Sequence, residues 1–151
     1  MGSYQTIVVG TDGSASSLVA VERAGALAGE ANARLVVACA YFPDQHDRGM
    51  EQAKDVLGRE AYQVVGSSPA EERARTAADR ARAAGARDVL TAAVTGEPVD
   101  VLLRVVAEHG AGLLVVGNRG LNTIKDRLLG SVPSDATRRA GCDVLVVHTT
   151  D

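Results

Sequence analysis

Tryptophan is absent from the sequence, and three tyrosines and one phenylalanine make up its aromatic content. A core of large rings is thereby excluded, so the apolar 46% of the chain must pack through Val, Leu, Ile and Ala. Small and branched aliphatics suit helices lying close on a parallel sheet. Cysteine is scarce as well. Cys39 and Cys142 stand far apart, in neither a CxxC pair nor a Cys/His cluster. That argues against a disulfide framework and a thiolate metal site, and it fits a reducing compartment. No apolar run approaches the ~20 residues of a membrane span. Residues 1–10 lack the basic start and apolar stretch of a signal peptide. The expected protein is cytoplasmic, with no membrane partner. Positive charge is not in excess either: 16 basic against 19 acidic side chains leave a net charge of −3. A general nucleic-acid binder is usually basic, so an anionic ligand must be held by local geometry rather than by the overall field.

What is present is a regular alternation. Five continuous apolar runs recur: "TIVVG" (6–10), "RLVVACA" (34–40), "DVLTAAV" (88–94), "GLLVVG" (112–117) and "DVLVVH" (143–148). Continuous rather than alternating runs are expected of strands covered on both faces. Between them lie helical patterns. The first follows residue 14, with Ser14, Ser16 and Ser17 as N-cap choices and Asn32 as its stop. The second opens at "SSPAEE", with Ser68 as cap, Pro69 at the first helical position and Glu71 completing a capping box. Its stripe is alanine (Ala74, Ala77, Ala78, Ala81, Ala84), and Gly85 ends it. The third starts near Pro98, spaces Val99, Leu102, Leu103 and Val106 along one face, and closes with His109 and Gly110. A fourth runs from Ser131 to Arg139. The order βαβαβαβαβ implies one α/β domain over residues 1–151, a doubly wound, mostly parallel five-stranded sheet with helices on both faces. Segment 41–67 is too long for a structureless loop. The spacing of Met50, Ala53, Leu57, Ala61 and Val64 predicts a helix in part of it, which either packs on the domain or covers the ligand cleft.

In such a sheet, ligands bind beyond the C-terminal strand ends where the strand order reverses. Three strand ends carry unusual residues: Gly10-Thr11-Asp12-Gly13-Ser14, the small trio Ala38, Cys39 and Ala40, and Gly117. Gly117 and Gly120 lack a Cβ, so the backbone there is free to take a positive φ and approach a ligand closely. Gly130-Ser131 stands at a helix start, whose free N–H groups favour an anion. The dipole alone gives about 0.3–1 kcal/mol, against the roughly 8 kcal/mol of micromolar binding. Several backbone hydrogen bonds and a buried aromatic base must supply the rest, which points to a nucleotide rather than free phosphate. The pattern is neither GxxxxGK[ST] nor GxGxxG, so P-loop and Rossmann dinucleotide readings lose most of their weight.

The spacing G-x2-G-x9-G-S resembles the nucleotide-binding signature of the universal stress protein family, whose fold is of the adenine nucleotide alpha hydrolase type. "TIVVGTDGS" looks like that family's first strand and acidic turn, "LLVVGNRGL" its fourth strand and loop, "RLLGSV" its phosphate-binding turn and "CDVLVVH" its last strand. "AYFP", "RLLGSVP" and "DVLVVHT" are similar to an actinobacterial branch that binds cyclic AMP as well as ATP. The resemblance implies that Asp12 lies beside ribose and phosphates, with Gly10 and Thr11 lining the same pocket and Ala40 at the adenine edge. Val116, Gly117, Asn118, Arg119 and Gly120 would wrap ribose and phosphate, while Gly130, Ser131 and Val132 would hold the phosphates. Thr11 stands where many relatives have proline, and Asn118 where many have a small hydroxyl residue. Arg119, Lys125 and Arg127 are available to neutralise a triphosphate.

The leading expectation is a stress-response or signalling module that binds ATP or cAMP without strong turnover. The alternative is a slow ATPase, in which Asp12 and Ser131 serve a Mg²⁺ brought by the nucleotide. Its weakness is the lack of a group to orient the nucleophile. A phospho-acceptor receiver is rejected, because the third strand ends in Thr95-Gly96 rather than in the required Asp. "DVLVVH" (143–148) is expected at the sheet edge, where an apolar strand invites pairing. The family resemblance implies a homodimer formed through it.

Overall fold

Side chains of neighbouring residues in a strand point to opposite sides of a sheet, and here both sides are filled. Ile7, Val9, Leu35, Val37, Leu113 and Val115 pack into one buried cluster, while Val8, Val36, Ala38, Leu114 and Val116 pack into another. The computed structural model describes residues 4–43, 66–118 and 131–149. The elements are β1 Thr6–Gly10, α1 Ala15–Ala31, β2 Arg34–Tyr41, α2 Ser67–Ala84, β3 Asp88–Thr95, α3 Pro98–His109, β4 Leu113–Gly117, α4 Ser131–Arg139 and β5 Asp143–Val147. The strand order is β3-β2-β1-β4-β5, and each neighbouring pair is parallel. Helices α1 and α2 cover the face of Ile7 and Val9, and α3 and α4 cover the face of Val8. The expected class, a five-stranded doubly wound sheet with helices on both faces, is the one observed, and the sheet is parallel throughout. Most of the awkward segment 41–67 lies outside the described residues.

Helix ends follow local chemistry where a local group is available. Ser14 caps α1, its Oγ accepting the Ser17 N–H at 3.2 Å, and Asn32 closes that helix in the left-handed region at φ 55°. Gly110 closes α3 the same way at φ 62°. The start of α2 differs from expectation. The helix begins at Ser67, Gly66 precedes it at φ 92°, and no side chain caps it, so the Ser68–Glu71 capping box does not form. A contact remote in sequence sets this start: the Gly66 N–H donates to the Phe42 carbonyl at 2.9 Å. Pro69 is tolerated in the first turn because the N–H it lacks would have no helical acceptor there.

The alanine stripe of α2 lets that helix approach α1 closely. A Cβ added at Gly25 would meet the Ala81 carbonyl oxygen at 2.5 Å and its Cα at 2.8 Å, and one at Gly29 would strike the Gly85 carbonyl. Both obstacles are backbone and cannot rotate away. At an exposed helix position, Gly→Ala stabilises by about 1 kcal/mol. Here the sign should reverse. Gly25→Ala is expected to destabilise by about 2 kcal/mol, a fall of roughly 4–8 °C in melting temperature for a domain of this size. Differential scanning calorimetry checks it, and an unchanged or raised melting temperature would contradict this packing.

Candidate functional site

The order in which the chain adds strands reverses between β1 and β4. The chain leaves β1 through α1 on one face and leaves β4 toward α4 on the other, so among the described residues no element crosses the C-terminal ends of these two strands. A hollow lies at that place, with about 670 Å³ of free space counting its solvent mouth. Its walls come from Gly10, Thr11 and Asp12 after β1, Ala38, Ala40 and Phe42 along β2, and Val116 and Gly117 at the end of β4. Helix starts complete it: Ser17 of α1, Pro98 and Leu102 of α3, Val132 and Pro133 of α4. Of the twelve residues expected to bind nucleotide, seven line this one hollow: Gly10, Thr11, Asp12, Ala40, Val116, Gly117 and Val132. Asn118 is not among the lining residues. Arg119, Gly120 and Gly130 lie outside the described residues, as do Lys125 and Arg127. Ser131 is the first residue of α4.

The turn after β1 is held by its own side chains. The Thr11 N–H donates to the Ala38 carbonyl at 2.9 Å. Thr11 Oγ1 accepts the Gly13 N–H at 3.0 Å and lies 2.8 Å from Ser17 Oγ. Ser17 donates its own proton to the Ser14 carbonyl at 3.0 Å, so the Thr11 hydroxyl is the donor between them. Asp12 Oδ1 accepts the Ser14 N–H at 2.9 Å, which orients the carboxylate, the one ionised side chain among the described lining residues. Arg73 of α2 crosses behind this turn and donates to the Asp12 carbonyl at 3.4 Å.

The two strand-end glycines are needed for a different reason from the one their sequence suggests. Neither Gly10 nor Gly117 adopts a positive φ. A Cβ at Gly10 would lie 2.9 Å from Leu102 Cδ2, and one at Gly117 would lie 3.1 Å from Thr149 Cγ2. The Leu102 tip crowds Gly10 and can turn aside, while at Gly117 the neighbour would have to give by a few tenths of an ångström. Nor is the main chain after β4 bare at its first residue, since the Asn118 N–H donates to the Val147 carbonyl at 2.8 Å. Asn118 Oδ1 in turn accepts from Thr149 N–H at 2.8 Å and Thr149 Oγ1 at 2.9 Å. Phe42, Pro98, Leu102 and Pro133 are lining residues that the sequence reading does not pick out. For Phe42 a signal existed: it follows Ala38 and Ala40 at the period of two that places all three on one face. Pro98, Leu102 and Pro133 carry none, because their approach depends on tertiary packing.

Cys39, between Ala38 and Ala40, points to the opposite face, against Ala70 and Ala74 of α2. Burial raises its thiol pKa from 9.0 to about 11, with nearby Arg73 lowering it and Asp12 raising it by smaller amounts. The folded protein therefore holds this proton more tightly than the unfolded chain does. The resulting stability is intact below pH 9 and declines as the pH rises from about 9 to 11. Between pH 8 and 10.5 the wild type is expected to lose about 2 kcal/mol more stability than Cys39→Ala. Urea titrations of both proteins at the two pH values measure the difference, and equal losses would remove Cys39 from the alkaline limb.

Comparison with known proteins agrees with the fold and extends along the chain. Residues 3–148 match the universal stress protein family. A universal stress protein of Mycobacterium tuberculosis (strain H37Rv) is 51% identical over 150 residues, covering 99% of this chain and 100% of the relative. A universal stress protein whose crystal structure holds cAMP is 48% identical, with a TM-score of 0.75 over 97% of this chain and 98% of that one. A more distant one from Archaeoglobus fulgidus, solved with dAMP, shares the fold at 21% identity and a TM-score of 0.68, covering 95% and 97% of the two chains. With its family matched over nearly the whole sequence and half its residues identical to a member's, the chain belongs to the universal stress protein family.

Proposed function

We propose that the hollow binds an adenine nucleotide, cAMP or ATP, and that the protein serves as a nucleotide-responsive stress or signalling module. The observation that carries this reading is the hollow itself. It lies at the reversal of strand order, has small and apolar walls, and is bounded by the starts of three helices. The similar protein solved with cAMP supports the same ligand class. In this reading the base lies against Ala40, Phe42 and Leu102, whose apolar surface it can cover. The Asp12 carboxylate, already oriented by the Ser14 N–H, accepts from a ribose hydroxyl. The phosphate falls to the backbone beyond Gly117 and to the start of α4, where Val132 lines the hollow. Gly120, Gly130 and Ser131 take the roles the family resemblance implies. Asn118 acts as support for this backbone rather than as a wall. Mg²⁺ would arrive with ATP, next to Asp12.

Calorimetric titration with cAMP and with ATP, each with and without Mg²⁺ and then in competition, tests the reading. The expected result is saturable binding of at least one nucleotide, with mutual displacement where both bind. Ala40→Phe, which fills the base end, should weaken binding more than tenfold with the protein still folded. Asp12→Ala should weaken it about tenfold, as expected for loss of a hydrogen bond to a charged acceptor. Absence of binding by folded wild-type protein would end the proposal.

Two copies are further proposed to pair through β5. It is an edge strand of the sheet, and Val144, Leu145 and Val146 on it are only partly buried. An apolar edge of this kind is a ready template for another chain. Sedimentation at micromolar concentration is expected to give twice the chain mass, and a monomer there would refute the pairing.

A further inference from the structure

We infer that Thr149 is a positioning residue for the nucleotide site, acting on Gly117 and Asn118 from outside the hollow. The inference rests on the reading of the hollow given above. Gly117 is the last residue of β4 and lines the hollow, and Asn118 is where the chain leaves the strand. One residue following β5 engages both. The Thr149 N–H and hydroxyl donate to Asn118 Oδ1 at 2.8 and 2.9 Å. A backbone N–H can only donate, so the carboxamide oxygen must be the atom facing Thr149. The methyl of the same side chain sits 3.1 Å from where a Gly117 Cβ would be.

Gly10 offers the contrast. What presses on it is the far end of the Leu102 side chain, which can rotate. Thr149 is branched at Cβ and stiff about χ1, and its hydroxyl and amide are both held by Asn118. Its side chain cannot swing aside without breaking the bond from the hydroxyl. The place of Gly117 and Asn118 at the end of β4 is therefore set by a residue just beyond β5. A binding constellation needs its groups held to within about 0.5 Å, and that is the service Thr149 performs without ligand contact.

The test compares Thr149→Ala, Thr149→Ser and Thr149→Val with wild type by nucleotide titration and by melting temperature. Thr149→Ala is expected to bind about five- to tenfold more weakly, the loss of one hydrogen bond and a packed methyl. Thr149→Ser keeps both donors and should stay within about twofold, and Thr149→Val, which keeps only the shape and the amide, should fall between. A lowered melting temperature with unchanged affinity in Thr149→Ala would reduce the residue to a structural one and overturn the inference. Hydrogen exchange of the Asn118 amide in ligand-free protein gives a second measurement. Faster exchange in Thr149→Ala supports the clasp, and unchanged exchange overturns it, whether or not the wild type binds nucleotide. Failure of the wild type to bind would instead strike the functional reading itself.

Discussion

The pairing of β1 with β4 is the constraint on which the rest of the molecule depends. Ile7, Val8 and Val9 lie opposite Leu113, Leu114 and Val115, two strands far apart in sequence made neighbours at the centre of the sheet. From that seam the chain winds outward in both directions, to β2 and β3 on one side and β5 on the other. Crossovers between parallel strands keep one hand, so the helices of the two halves lie on opposite faces. Among the described residues no element then bridges the C-terminal ends of the seam, and the hollow follows from topology rather than from any single residue.

Close helix packing marks both faces of the sheet, and on one of them it reaches the hollow. The α2 stripe is alanine throughout, and Gly25 and Gly29 of α1 meet its backbone directly. On the other face Leu102 of α3 presses into the space beside Gly10. A chain with almost no aromatic residues cannot fill gaps with rings, so it fills them by bringing backbones together. Small residues at the strand ends thus serve packing first, and what remains between them is the hollow.

Much of this could be seen before any coordinates. The five strands are legible because a strand buried on both faces must be apolar continuously, and the caps at Ser14, Asn32 and Gly110 are legible because their chemistry is local. The start of α2 differs from the sequence expectation for the opposite reason, since the Phe42 carbonyl just after β2, distant in sequence, accepts the Gly66 N–H. The candidate site divides along the same line. Residues near strand ends were open to inspection, whereas the wall made by Pro98, Leu102 and Pro133 exists only once α3 and α4 are docked. Gly117 was noticed for backbone freedom that it does not use. Thr11 shows what a departure from the family pattern can mean: its N–H donates to Ala38 and its hydroxyl joins Gly13 to Ser17, bonds a proline there could not make.

The electrostatics of the hollow bear on how it would hold an anion. Among its described lining residues none is basic, Asp12 is acidic, and the chain carries a net charge of −3. Neither the net charge nor the described walls attract an anion, so any basic help must come from Arg119, Lys125 or Arg127. Three helix starts contribute together about 1–3 kcal/mol, and a base that buries ~150 Å² of apolar surface contributes about 4 kcal/mol more. Hydrogen bonds to ribose and phosphate must supply the remainder of the roughly 8 kcal/mol of micromolar affinity. In the proposed complex the largest share belongs to shape: the base would be held by the walls that Ala40, Phe42 and Leu102 form, and charge would only orient what shape has admitted.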